Sequence, residues 1–203
     1  MNIVANSINK IFHPFLLPTY AVIATIWCSP FYFGSIADKA NVAMIGMVFI
    51  NLFFFPMFTL FLMKKLNLVQ TEMLNARQQK FIPYIATLIF YVWASVAAYK
   101  SGMPFLVSAL VIGFTISLVL QFFINIFSET STHASAVGCL VAFAGILTYF
   151  GAYHALAIIC CSILIAGLVG FAQVQAHQRS LSGLAGGFFI GFASMFFALR
   201  FVL

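Results

Sequence analysis

The chain has 203 residues, of which 64% are hydrophobic and only 6% charged, with a net charge of +6. So few charges cannot cover the surface of a soluble domain, whereas a domain immersed in lipid has no need of them. The nine basic residues are scattered between apolar runs instead of gathered in one, which speaks against a nucleic-acid partner and leaves membrane anchoring and phosphate contact as roles for the excess charge.

Residues 1–10 are polar with a single cation, Lys10, and no small-residue cleavage site follows, so the segment reads as leading into an uncleaved first span. Seven apolar segments then recur, near Phe15–Phe33, Val42–Met63, Phe81–Tyr99, Pro104–Phe127, Ala134–Gly151, Ala155–Gln173 and Ser182–Val202. Each approaches the roughly 17–25 residues needed to cross a hydrocarbon core of about 30 Å. A lone apolar span can satisfy its backbone in lipid only as a helix. The expected fold class is therefore all-α, a polytopic transmembrane bundle of six to seven spans, with residues 1–203 forming one integral membrane domain. No span carries an acidic or basic residue in its central part, which argues against a coupled transporter.

With seven spans, the N-terminus and the connections after spans two, four and six share one face, here the first face. Tyr32, Tyr99, Tyr149 and Tyr153 then fall at the second face, where an interfacial aromatic belt belongs. Lys10, Lys64, Lys65, Arg77, Lys80 and Arg179 lie on the first face, against Lys39, Lys100 and Arg200 on the second. The positive-inside rule would make the first face cytoplasmic. If the same cations were placed to hold phosphate, they give no orientation. The four cysteines have no metal-ligand spacing and read as small apolar residues in the spans. Gly183, Gly187 and Gly191 on span seven, and Ser162, Ala166 and Gly170 on span six, form ridges that let helix backbones approach closely, within the chain or against a membrane protein partner or second copy.

Nearly all reactive side chains fall in three first-face connections. Arg77 and Lys80, three apart, share a helix face and can grip one phosphate between them; as plain interfacial anchors they would snorkel to head groups. Pro83 suits the first turn of span three, where its missing N–H costs nothing. Ser128-Glu-Thr-Ser131-Thr-His133 places hydroxyls before a helix, where free N–H groups attract anions, and His133 where it can protonate a leaving oxygen. The third connection, Gln173-Val-Gln175-Ala-His177-Gln-Arg179-Ser180, adds an imidazole and a guanidinium. Cations, hydroxyls and histidines from three segments at one membrane face suit phosphate handling. With no carboxylate cluster, no metal and no cofactor is expected.

On these residues the chain resembles the type-2 phosphatidic acid phosphatase (PAP2) superfamily, compact bacterial members above all. The likeness also takes in Ile11-Phe-His-Pro-Phe-Leu-Leu-Pro-Thr-Tyr20, Ala166-Gly-Leu-Val-Gly170 and Gly187-Phe-Phe-Ile-Gly-Phe192. It implies a bacterial inner-membrane protein acting on lipid phosphates without metal, through a phosphohistidine. Active members carry a basic stretch ending in arginine-proline, then Pro-Ser-Gly-His, then Ser-Arg followed after five residues by His and after three more by Asp. Arg77 and Lys80 correspond to the first motif, with lysine for arginine and Pro83 three residues on. Thr130-Ser-Thr-His133 corresponds to the second, keeping Ser131 and the acid histidine.

The third motif aligns without gaps between Gly170 and Gly187, and there the chain departs from it. Gln173 stands at the phosphate-binding arginine, Arg179 at the nucleophilic histidine and Gly183 at the aspartate. Arginine, with a pKa above about 12, is no nucleophile. His177 is two residues away, about 200° round a continuous helix, and replaces the nucleophile only if this connection is irregular or the register shifts by two residues. The resemblance thus implies a lipid-phosphate-binding protein with impaired catalysis, its head group held by Arg77, Lys80, Ser131, Gln173 and Arg179 beside His133. The alternatives are an active lipid phosphatase with His133 as acid and His177 as displaced nucleophile, and a non-enzymatic assembly subunit.

Overall fold

The computed structural model of the protein describes residues 3–66, 76–175 and 180–203, and every regular element among them is helical. In chain order these are α1 (Ile3–Ile11), α2 (Leu17–Cys28), α3 (Pro30–Phe33), α4 (Asp38–Phe49), a π-helical turn (Ile50–Phe54), α5 (Phe55–Lys65), α6 (Ala76–Lys100), α7 (Phe105–Phe127), α8 (Thr132–Tyr149), α9 (Ala155–Gln175) and α10 (Leu181–Val202). Six stretches are long and apolar enough to cross a membrane: Asp38–Lys65, Phe81–Lys100, Phe105–Phe127, Thr132–Tyr149, Ala155–Gln175 and Leu181–Val202. The protein is a multi-pass membrane protein.

The first expected span, Phe15–Phe33, is broken. Its main helix, α2, has 12 residues and so reaches about 18 Å, well short of the hydrocarbon core. Pro30 stops it, because the residue before a proline is pushed out of the helical region; Ser29 sits at φ −126°. The break exposes the Cys28 carbonyl, and the Tyr153 N–H donates to it at 2.7 Å. A backbone acceptor freed in lipid has thus been satisfied from a neighbouring connection.

Prolines also shape the next two spans. Pro56 cannot donate to the carbonyl four residues back, and the helix from Asp38 to Lys65 absorbs the defect as the π turn just before it. Pro83 lies inside α6 instead of in its first turn, because α6 begins at Ala76, earlier than the apolar pattern predicts. The carbonyl that Pro83 leaves unbonded belongs to residue 79, near the interfacial end of the helix, where backbone groups can be solvated.

The core is built on α7, α8 and α10, the most extensively packed helices. Along α7 every residue from Leu106 to Thr115 is buried. The glycine ridge on α10 is consumed here. A Cβ on Gly183 would lie 2.5 Å from the Glu129 carbonyl oxygen, one on Gly187 2.5 Å from that of Ser131, and one on Gly191 would collide with that of Ser135. In return, Gly138 of α8 faces the Phe188 carbonyl of α10, and Gly113 of α7 makes room for the Met195 thioether. Polar pairs stitch the same bundle: Ser117 to Ser135, Ser95 to Thr115, and Tyr84 to Gln121. By contrast, a Cβ added at Gly167 or Gly170 of α9 would meet nothing within 4 Å, and Cys160 and Cys161 are exposed on the flank of the bundle.

Gly191→Ala is expected to destabilise the bundle by roughly 1–3 kcal/mol or to abolish folding, since the obstacle is backbone and cannot move aside. Gly167→Ala, on an open face, is expected to be neutral or to stabilise by up to about 1 kcal/mol. Thermal melting of both purified proteins in mild detergent measures the contrast.

Candidate functional site

The connection before α8 is held from three sides. The Asn125 side-chain oxygen accepts from both the N–H of Thr130 (2.6 Å) and its hydroxyl (2.9 Å). The Ser131 N–H donates to the Gly183 carbonyl at 3.1 Å, which fastens the connection to the first turn of α10. Ser131 caps α8, its hydroxyl accepting from the Ala134 N–H at 3.3 Å. Its side chain is buried. This bracing fixes His133 on the first turn of α8, half-buried.

His133 faces His13, with ring centroids 5.9 Å apart and planes at 74°. His13 belongs to the turn between α1 and α2, and its Nδ1 accepts from the Phe15 N–H at 3.4 Å. In the neutral ring the proton therefore sits on Nε2. Burial lowers the pKa of His13 from its ordinary 6.5.

The third contributor is α1. Ala5 is buried and Ile8 packs on the core, while Ser7 and Lys10 are exposed, so the helix is amphipathic and lies along α9. Asn9 is its central polar contact. The Gln173 side-chain N–H donates to Asn9 Oδ1 at 3.1 Å, and the Asn9 backbone lies against His133. Asn9 Nδ2 is buried without a partner. An amide donor withdrawn from water and left unmet costs about 1–3 kcal/mol, so the cluster has standing capacity for an acceptor.

Of the residues singled out in the sequence, Ser131, His133 and Gln173 thus come to one end of the bundle, His133 and Gln173 through Asn9. Gln173 is buried and its amide is already engaged with α1. Arg77 and Lys80 lie on the first turn and a half of α6, and their side chains fall outside the described residues, as do His177 and Arg179 altogether. Position 183 has no room for any side chain at all, since the Glu129 carbonyl occupies the space. Among the described residues no three His, Cys, Asp or Glu side chains are grouped to hold a metal.

Two members of the cluster are given no role by sequence reasoning. His13 is visible there as an imidazole at the edge of an apolar run, a costly placement that asks for a partner. Asn9 is concealed within a short polar segment, although apolar residues at 4, 5, 8 and 11 keep helical spacing. Compared with known proteins, the chain matches no family model, no curated protein and no solved structure.

Because the folded His13 binds its proton less readily than the unfolded chain does, its contribution to stability is complete above about pH 6.5 and is lost as the pH falls through its lowered value. The melting temperature is expected to drop on acidification from about pH 7.5 to about 5.5, and His13→Gln to flatten that dependence, as read by melts across that range.

Proposed function

We propose that the protein recognises the phosphate head group of a membrane lipid at the end of the bundle bearing His13, Asn9 and His133, and that it binds the group without transferring it, as a catalytically degenerate PAP2-like protein. The observation that carries this reading is the convergence on Asn9 of His133 and Gln173, which stand at the acid-histidine and phosphate-binding positions of the resembled family and come from different spans. Two imidazoles and an unmet amide donor are suited to phosphate oxygens. Arg77, Lys80 and Arg179 supply the charge under this reading, Arg179 as a fixed cation.

Transfer lacks its first step in this chain. Attack on phosphorus needs a lone pair, and a guanidinium at position 179 has none to give at ordinary pH. The carboxylate that would orient a nucleophilic imidazole has no counterpart, because residue 183 is a glycine pressed against the Glu129 carbonyl. An acid histidine can donate hydrogen bonds to a bound phosphate whether or not a group is transferred.

Purified protein in detergent is expected to release no phosphate from a panel of lipid phosphates and pyrophosphates. It is expected to bind a lipid phosphate in preference to the corresponding alcohol, with His133→Ala weakening binding about tenfold or more, the usual cost of a hydrogen bond to a charged group. Turnover that disappears in both His133→Ala and His177→Ala would replace this reading with that of an active phosphatase.

A further inference from the structure

Further along the bundle from the polar cluster lies a cavity of about 710 Å³, bounded by α2, α8 and α9 and lined almost wholly by apolar side chains. That volume is within the range of small-molecule sites, far above a packing defect. Helix α8 forms its floor. Helices α2 and α9 are its walls: α2 and α9 each pack on α8 but scarcely on each other, so the cavity opens sideways between them. Trp27 and Tyr153 stand on that open flank.

The cavity continues the polar cluster along three elements. On α8, His133 is followed by Leu140, Ala144 and Leu147, seven, eleven and fourteen residues on, all within about 40° of one line on the helix. On α9, Gln173 is preceded on the same line by Ser162, with Ile165 and Ile158 flanking it. His13 precedes Leu17 by a single turn, the Leu17 N–H donating to the His13 carbonyl at 3.3 Å. Tyr20 joins the two regions: its ring lines the cavity, and its hydroxyl donates to the Ile11 carbonyl at the end of α1 at 3.4 Å.

Resting on the head-group reading above, we infer that this groove is a hydrocarbon-chain site, holding the tail of the same lipid phosphate whose head occupies the cluster. An apolar groove that opens sideways on the flank of a membrane-spanning bundle faces hydrocarbon along its length, with Pro30, Tyr153 and His154 at its far end. Its floor and walls carry the head-group cluster at one end, which fits an amphiphile and neither a polar solute nor a protein segment. The rise along α8 puts the groove from about 10 to about 21 Å below His133. A long single chain spans that interval, and a short one stays above it.

The test compares hexadecyl phosphate, butyl phosphate and hexadecanol, with binding measured in one detergent on the parent protein, Ala24→Trp and Ala157→Trp. These two variants fill the groove from opposite walls at positions outside the packed core, and each is used once its melting curve matches the parent's. Partitioning into the micelle is common to all three proteins and cancels between them. Hexadecyl phosphate is expected to bind about tenfold more weakly to either variant while butyl phosphate binding is unchanged. Undiminished hexadecyl phosphate binding in a folded variant would overturn the groove assignment and leave the head-group reading standing. Equal binding of hexadecyl phosphate and hexadecanol by the parent, with no effect of His133→Ala, would instead refute the head-group reading, and the shared-ligand site with it.

Discussion

The contact between α8 and α10 governs the rest of the structure. It is made by backbone against backbone, glycines of one helix resting on carbonyls of the other. Lipid tails are as apolar as leucine, so burying large side chains gains little inside a bilayer, and close packing with interhelical hydrogen bonds has to supply the cohesion. Three glycines in register give α10 a flat face on which the chain from Glu129 to Ser135 lies. The Ser131 N–H completes the fit by donating to the Gly183 carbonyl. His133 inherits its position from this contact, since it sits on the first turn of the helix so clamped.

The same contact shapes the chemistry at position 183. A carboxylate there would require the helices to part, so the close approach and an orienting acid exclude one another. The tight face fixes an imidazole and a capping serine at one end of the bundle, and it leaves no room for a side chain at position 183.

Most of the bundle is legible in the sequence because lipid imposes a simple rule: apolar runs of sufficient length become helices. Spans four to seven follow the pattern to within about two residues, and Ser131 caps its helix as the hydroxyl-rich connection suggests. Span one defeats the rule, because composition is blind to the break at Pro30 and to the Tyr153 N–H that makes the break tolerable from far along the chain. The start of α6 misleads for the opposite reason, as a proline inside a helix looks like its beginning. At the candidate site, Ser131, His133 and Gln173 stand out by residue type and by resemblance. Asn9 does not, and His13 lies in a resembling stretch without a role of its own, since the place of both depends on where α1 docks, and a short amphipathic segment does not announce its partner.

The Asn9–Gln173 bond joins residues 164 positions apart. During synthesis α1 leaves the ribosome before the spans that follow it here, and its main contact forms only once α9 has been inserted. Contacts of such separation are paid for late, after the intervening spans have shortened the loop between them. The cluster is therefore assembled late, and a chain stalled before α9 carries both histidines yet lacks the Asn9–Gln173 bond. The docked α1 thereby reports that insertion of α9 has been completed, a check written into the connectivity of the chain.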